Sequence, residues 1–362
     1  IYVEKQVLSW CRQMMGFPAA AGALIVSGTS MATIIAMKVA RDRRLGFGAR
    51  KTGAGGAKLV GYASDQAHSC VARAFDILGL GSDALRKIPC GDDFTMYLAA
   101  LSDAIATDRA AGFTPFAVIG TAGAVNVGAI DDLDAIADIA AAENLWFHVD
   151  GAFGATGILS DEVRPKLIGM DRAASLAFDF HKWLHVNYDA GCVLIRDADA
   201  HLRSFSERPE YLAGSERGLA AGSPWPVDYG PELSRGFRAL KIWSHLIEHG
   251  TEKLGAAITR NCEQARYLAD KITARPDFEL LAPVALNITC FRFAPAGQTE
   301  LDRLNEAIVL ELQESGIAAP STTRLNGQLA IRVNITNHRT RFSDLDLLVD
   351  EVARIGQALI KA

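Results

Sequence analysis

The segment that decides the fold reads WFHVDGAFG at residues 146–154 and SLAFDFHKWLHVNYDAGCVLI at residues 175–195. Short apolar runs in it are separated by polar and glycine-containing turns, and these runs are Trp146–Val149, Ser175–Phe178 and Cys192–Ile195. Runs of this length, bounded by turn signals, are typical of strands that are buried on both faces. The segment therefore predicts inner strands of a sheet, with Asp150 and Asp179 directly after two of them.

The same pattern extends toward the N-terminus. Lys58–Ala63 and Phe116–Ile119 have the composition of further strands, and helical patterns occupy Cys70–Leu78, Tyr97–Ala110 and Leu133–Glu143. The uncharged stretch from Gln13 to Met37 is broken by Gly16-Phe17-Pro18 and by Ser27-Gly28-Thr29-Ser30, so we expect a buried strand, a turn and a buried helix there rather than a membrane span. Strands that alternate with helices predict an α/β protein with a mostly parallel sheet flanked by helices.

The two ends of the chain predict smaller units. A helical pattern covers Val3–Met15, and a second one runs from about residue 234 to residue 274, after a turn-rich stretch. The remaining elements are expected to be a strand at Leu286–Phe293, a helix at Glu300–Ser315, a strand at Leu329–Ile335 and a helix at Phe342–Ile360. We predict an N-terminal helix (1–16), a large domain (17–262) and a small C-terminal α+β domain (263–362).

Composition limits the classes of partner. The chain has 362 residues, a formal net charge of -5 and 49% hydrophobic residues, and it contains no block of Lys and Arg that would indicate binding to nucleic acid or to a membrane. Its six cysteines form no C-x-x-C pair, which argues against a zinc site and a disulfide framework. No secretion signal opens the sequence. We expect a cytoplasmic protein that acts on a small molecule.

Ligands of open parallel sheets bind beyond the carboxyl ends of the strands, so the residues after each strand are expected to form one site. These are Ser27–Ser30, Asp65–His68, Thr121, Asp150–Ala152 and Asp179–Lys182. The turn with Gly28 and Thr29 opens a helix and offers free N–H groups and a positive helix end to a phosphate, although it could also be an ordinary helix cap.

Three other side chains in this set have a chemical and a structural interpretation. Asp150 follows a hydrophobic strand and needs a cationic partner, such as a protonated pyridine nitrogen, unless it is a turn residue. Lys182 lies between His181 and Trp183 in an apolar stretch, where desolvation would lower the pKa of its amine and free it for imine chemistry; the alternative is a surface lysine. His68 could lie against a flat ring, or it could be a core or capping histidine.

The chain resembles the group II decarboxylases that use pyridoxal 5′-phosphate (PLP), a family that includes enzymes for aromatic amino acids, tyrosine, histidine and glutamate. The matching segments are YASDQAHSCVARA at 62–74, GTAGAVNVGAIDDL at 120–133, WFHVDGAFG at 146–154, DFHKWLHVNYDAG at 179–191 and RALKIW at 238–243. The resemblance implies the aspartate-aminotransferase-like fold, called fold type I, and a homodimer with active sites at the subunit interface.

The resemblance also implies roles for individual residues. Lys182 would form the Schiff base with PLP, Asp150 would pair with the pyridine nitrogen, and His68 and Ala152 would lie on the two faces of the ring. The rest of the cofactor pocket would contain Gly28, Thr29, Thr121, Asp179 and His181. Tyr211, in a glycine-containing stretch, resembles a mobile-loop tyrosine that protonates the substrate carbon. No metal is implied.

The reaction implied is decarboxylation of an L-amino acid, with an aromatic side chain as the leading expectation. Other PLP reactions remain open at this point: aldehyde-forming oxidative deamination, carbon–carbon lyase chemistry and transamination. A module that binds the cofactor or dimerises without turnover is a further alternative. The chain departs from the family at Phe180, where proline is usual, and in the Ser-Gly-Thr-Ser-Met-Ala phosphate loop. The relatives also have a longer N-terminal segment that forms part of the substrate pocket.

Overall fold

The computed structural model describes residues 1–207, 217 and 224–361, which form two sheets with helices packed on them. The strands are β1 (Gly22–Val26), β2 (Leu59–Ser64), β3 (Leu85–Ile88), β4 (Thr114–Thr121), β5 (Trp146–Asp150), β6 (Ser175–Asp179), β7 (Gly191–Ile195), β8 (Phe278–Leu280), β9 (Ile288–Phe293), β10 (Ser321–Leu325) and β11 (Gln328–Asn334). The helices are α1 (Tyr2–Met14), α2 (Thr29–Arg44), α3 (Ala49–Thr52), α4 (Cys70–Ile77), α5 (Leu98–Ala110), α6 (Leu133–Ala142), α7 (Ala198–Phe205), α8 (Arg238–Thr273), α9 (Leu301–Glu314) and α10 (Phe342–Lys361). Within the described ranges, no helix is long and apolar enough to cross a membrane.

The larger sheet has the strand order β1-β7-β6-β5-β4-β2-β3. Strands β2 to β6 pair in parallel, whereas β7 is antiparallel to both of its neighbours, β6 and β1. The predicted mostly parallel sheet is confirmed. The apolar pattern of Cys192–Ile195 did not indicate the reversed direction of β7, because a strand buried on both faces has the same composition in either direction.

Helices cover both faces of this sheet. Trp146 of β5 packs on one side in a cluster with Ile35 and Phe75, whereas Phe147 and Val149 belong to the core on the other side. Successive side chains of a strand point to opposite faces, so β5 contributes to both cores. Because both faces are covered, the carboxyl ends of the strands form the accessible edge of the sheet.

Helix α8 connects the two sheets. It runs from Arg238 to Thr273 and is interrupted at Gly250, whose backbone is not helical (φ 67, ψ 166). The smaller sheet, ordered β10-β11-β9-β8, is antiparallel, and its core includes Phe293, Ile308 of α9 and Val352 of α10. The expected C-terminal α+β unit is confirmed, while its exact limits, 263–362, stay a prediction.

Three short strands were not predicted from the sequence. Strand β3 contains Arg86 and Lys87, β8 has three residues, and most of the side chains of β10 are exposed. Each lies at the edge of its sheet. An edge strand buries less of its surface and therefore has a weaker hydrophobic pattern.

The smaller sheet packs against the loop that follows β4. Ile288, Cys290 and Ala330 of this sheet share a buried cluster with Ala124 and Val127. This contact brings β11 close to the carboxyl edge of the larger sheet, where the predicted site lies.

Candidate active site

The ends of β1, β2, β4, β5 and β6 surround two adjoining cavities. A cavity of about 380 Å³ is lined by the turn before α2 and by the residues after β6. A cavity of about 520 Å³ extends from Thr121 and Asp150 toward β9 and β11. The predicted site residues that line one or both are Gly28, Thr29, His68, Thr121, Asp150, Ala152, Asp179, His181 and Lys182. The structure therefore brings these nine residues together, whereas Asp65, Gln66, Ala67, Gly151 and Phe180 of the predicted strand-end segments line neither cavity.

The N-terminus of α2 forms one end of the smaller cavity. Helix α2 begins at Thr29, and no side chain of its own caps it; instead, the Thr29 N–H donates to Oδ1 of Asp179 at 2.7 Å. The Thr29 hydroxyl is buried and has no hydrogen-bond partner among the described residues. A Cβ at position 28 would lie 3.3 Å from Cε1 of His181. This end thus offers helix N–H groups and an unused hydroxyl in a space that glycine keeps open.

Lys182 follows β6 by three residues. Its Nζ lies 3.1 Å from Oδ2 of Asp179, and its side chain is partly exposed to the cavities. The neighbouring Trp183 is fully buried, stacks on Phe153 with ring centroids 4.7 Å apart, and donates from Nε1 to Asn261 at 3.1 Å. Trp183 anchors the backbone, so the lysine amine reaches the site from a rigid support.

The turn around Lys182 accommodates the unusual Phe180. Its ring is buried and packs against Phe178 at 5.1 Å, and its N–H donates to the Ala190 carbonyl at 2.9 Å. The Ala190 N–H in turn donates to Nδ1 of His181 at 2.9 Å. The ladder to Ala190 therefore holds this turn without proline.

Asp150 is a buried acid at the end of β5. Burial raises the pKa of its carboxyl group, while the Ala152 N–H, Lys182 and His68 act in the opposite direction. Oδ1 accepts from the Ala152 N–H at 3.1 Å, and Oδ2 faces the Cys70 thiol at 3.8 Å. In the described part of the chain, no Lys, Arg or His lies within ion-pair distance of it. A cationic N–H from a bound ring would compensate this buried charge.

His68 contacts the start of α4 and also faces both cavities. Its Nδ1 accepts the Cys70 N–H at 3.2 Å, which caps the start of α4, and its exposed ring lines both cavities. The Thr121 N–H donates to Oδ2 of Asp131 at 2.8 Å, whereas the buried Thr121 hydroxyl has no partner among the described residues. Tyr211 lies outside the described residues.

Several residues that line the cavities were not selected from the sequence, and among them are Cys70, Tyr188 and Arg332. The Tyr188 ring packs on His181 with centroids 4.2 Å apart and lines both cavities. Arg332 lines the larger cavity, and its Nε donates to the carbonyls of Val125 at 2.9 Å and Asn126 at 3.1 Å. The sequence did contain an indication for Arg332, because a cation within the otherwise apolar run Leu329–Val333 is a candidate binding residue.

These features fit PLP. The helix N-terminus at Gly28, together with buried hydroxyls that have no partner among the described residues, suits the phosphate of that cofactor. The buried acid suits the ring nitrogen, and the lysine amine suits the aldehyde. Among the residues that the structure describes, no group of three or more His, Cys, Asp or Glu side chains could hold a metal ion.

Comparisons with known proteins agree with this chemistry. The profile of the Pyridoxal-dependent decarboxylase conserved domain matches residues 1–294. The chain is 36% identical to an aromatic-L-amino-acid decarboxylase from Bacillus atrophaeus over 98% of this chain and 73% of that protein. It is 31% identical to tyrosine decarboxylase 2 of Narcissus pseudonarcissus over 91% of this chain and 67% of that one. The crystal structure of Oryza sativa TDC with PLP and tryptamine superposes with a TM-score of 0.91 at 27% identity, covering 99% of this chain and 76% of the other. This chain therefore belongs to the pyridoxal-dependent decarboxylase family, and it is an enzyme that uses PLP to decarboxylate an amino acid.

Proposed function

We propose that the substrate is an aromatic L-amino acid, bound in the larger cavity between the strand ends and β11. The observation that carries the proposal is the composition of this cavity, which combines an apolar wall with few cations. Val125, Phe153, Tyr188 and Ile288 form the wall. An aromatic side chain would bury its surface there. The names of the Bacillus and Narcissus relatives support the same class of substrate.

The cations of this cavity support binding of the amino-acid carboxylate. The described lining contains Lys182 and Arg332 besides two histidines. We assign Arg332 to the α-carboxylate, because the Val125 and Asn126 carbonyls hold its Nε. Its Nη1 also donates to the Ser321 hydroxyl at 3.2 Å, and the N–H groups left over on its terminal nitrogens can donate to an anion. A substrate with a second carboxylate would need a further cation at its other end.

The residues of the smaller cavity would hold the cofactor. When bound, PLP supplies an electron-accepting ring that stabilises the charge left on the substrate carbon as carbon dioxide departs. Lys182 would supply the covalent attachment, Asp150 would keep the ring nitrogen protonated, and His68 and Ala152 would enclose the ring. Gly28, Thr29 and the N-terminus of α2 would bind the phosphate, and His181 would lie beside it. Asp179 would hold both the Thr29 N–H and Lys182. Thr121 would contact a substituent of the ring.

Loss of carbon dioxide must be balanced by one proton at the same carbon. We assign delivery of that proton to the phenol of Tyr211, on the basis of its family motif. Phenylalanine at this position would keep the ring and remove the donor.

Product analysis tests the proposal. The enzyme with PLP is incubated with aromatic, acidic and diamino acids, and carbon dioxide, amine, aldehyde and oxygen uptake are measured. We expect amine and carbon dioxide in equal amounts, with at least a tenfold preference in kcat/KM for an aromatic substrate. In Tyr211→Phe, amine should fall and aldehyde formation with oxygen uptake should rise. Preferential turnover of an acidic amino acid would refute the substrate assignment, and unchanged amine output in Tyr211→Phe would refute the proton donor.

We also infer a homodimer with active sites at the interface. Phe237, Leu240 and Ile247 are 59%, 46% and 60% exposed in and just before the first half of α8, although they are apolar. Exposed apolar groups of this kind favour a covering partner. Sedimentation should give twice the mass of the chain, and Ile247→Glu should shift the protein toward the monomer.

A cytoplasmic location is supported by the thiols. All six cysteines are free, which suits a reducing compartment. Cell fractionation tests this assignment.

A further inference from the structure

The Cys70 thiol occupies a position that the proposed chemistry does not use. Cys70 is the first residue of α4 and is 3% exposed. It follows His68 by two residues, and it lines the smaller cavity. Its Sγ lies 3.8 Å from Oδ2 of Asp150, within hydrogen-bond distance for sulfur.

The two oxygens of Asp150 have different donors. Oδ1 accepts the Ala152 N–H, which is fixed by the backbone of the turn after β5. The described residues offer Oδ2 only the Cys70 thiol as a donor. The thiol therefore decides how well the second oxygen is stabilised as an anion, in a place where burial disfavours charge.

The thiol acts at this position as a neutral donor. Burial is the larger cause and the negative charge of Asp150 the second, and together they raise the pKa of Cys70 to about 12. The thiol thus keeps its hydrogen at physiological pH and adds no second negative charge beside Asp150. The other charged or titratable groups that influence Asp150 are Lys182, His68 and Asp179.

We propose that Cys70 is a positioning residue for Asp150: its S–H donates to Oδ2, fixes the carboxylate and keeps it ionised, so that the proton shared with the PLP ring nitrogen stays on the nitrogen. The inference rests on the proposed role of Asp150. A stabilised carboxylate is the weaker base of the pair, and a carboxylate that loses a donor competes better for the proton. Because sulfur is a weak donor, the stabilisation of the Asp150 carboxylate should depend on how strong a donor stands at position 70.

The test uses PLP labelled with ¹⁵N in the ring, because its chemical shift reports protonation of the ring nitrogen without turnover. In Cys70→Ala, which removes the donor, we expect the shift to move toward the unprotonated value and the affinity for PLP to fall about fivefold. In Cys70→Ser, whose hydroxyl is a stronger donor, the nitrogen should stay protonated. Cys262→Ala is the matched control, since Cys262 is a 1% exposed thiol of α8 that lines neither cavity.

Asp150→Asn, measured in the same way, distinguishes an error in the proposed role of Asp150 from an error in the role of Cys70. If this variant keeps a protonated nitrogen, the proposed role of Asp150 is wrong. If it loses the proton while Cys70→Ala retains the wild-type shift and affinity, Cys70 does not position Asp150. Equal loss of the signal in Cys70→Ala and Cys70→Ser would also overturn the inference, because it would mean that the sulfur contributes packing volume only. Should Cys70→Ala fail to fold, Cys70→Val, which fills the volume of the thiol but has no donor, takes its place: the shift should again move toward the unprotonated value, and a wild-type shift and affinity in Cys70→Val would overturn the inference.

Discussion

At the scale of single residues, the site depends on charged side chains that are held by backbone groups. Asp179 accepts the Thr29 N–H, Asp150 accepts the Ala152 N–H, and Arg332 donates to two carbonyls of the loop after β4. Burial lowers the pKa of Arg332 from its ordinary value, yet an arginine stays charged at any physiological pH. Backbone partners fix such a side chain without neutralising it. Arg332 therefore keeps a full charge for an anionic substrate.

Substitution of Arg332 tests this interpretation. We expect Arg332→Gln to lower kcat/KM for the preferred amino acid about 10- to 100-fold, since one charge-assisted hydrogen bond is lost. Steady-state kinetics with saturating PLP gives the value. Arg324→Gln is the control, because Arg324 belongs to the same sheet but is exposed and pairs with Asp302. If both variants lose the same amount of activity, Arg332 has no specific contact with substrate.

At the scale of elements, the pocket depends on close approach between β7 and the turn before α2. A Cβ at Gly191, the first residue of β7, would lie 2.6 Å from Cα of Gly28 and 2.7 Å from Oδ1 of Asp179. Such distances are shorter than van der Waals contact, and neither neighbour can move away easily, because the Gly28 atom is backbone and Asp179 is buried. Antiparallel β7 thus sets the shape of the smaller cavity at the turn before α2, although none of its side chains lines that cavity.

Gly191→Ala should therefore damage cofactor binding. The added methyl group must push the α2 turn or Asp179 away, and we expect a loss of PLP affinity of about tenfold or more, as for other overpacked sites. The affinity is measured by titration of the apoprotein. Gly236→Ala provides the control, since a Cβ at Gly236 meets no atom within 4 Å. Equal affinities in both variants would show that the turn can move freely.

At the scale of the whole molecule, buried histidines link stability to pH. His201 of α7 is fully buried; its Nε2 hydrogen bonds to the Tyr229 carbonyl at 2.7 Å, and its Nδ1 has no partner among the described residues. A Cβ at Gly22 would lie 2.5 Å from Nδ1, so β1 leaves no room for a partner at that point. Burial lowers the pKa of His201 to about 4. Protonation must therefore oppose folding.

The sign of the effect follows from linkage. The unfolded histidine binds a proton below about pH 6.5, whereas the folded one does so only below about 4, so stability is lost as the pH falls through this range. Between pH 7 and pH 5, His201 should account for about 2 kcal/mol of this loss. His201→Gln should be correspondingly less sensitive to pH, as measured by the free energy of unfolding of the apoprotein at both values. An identical pH dependence in the variant and the wild type would contradict the assignment.

The two sheets also meet at the scale of the whole molecule. Asn126 donates to Gln66 at 3.1 Å, accepts from Thr323 of β10 at 2.9 Å, and holds Arg332 through its carbonyl. The larger cavity is therefore closed by groups from both sheets. Lys182 and Arg332 therefore line the same cavity although they are 150 positions apart in the sequence.

The sequence alone determined the α/β architecture and the set of strand-end residues that line the cavities. Strand ends can be predicted because buried strands have a clear apolar pattern and parallel strands direct their carboxyl ends to one edge. Tertiary structure alone decided the reversal of β7, the place of Cys70 against Asp150, and the approach of Arg332 from the smaller sheet. These depend on packing between distant segments, and local periodicity records which residues are buried but not which of them meet.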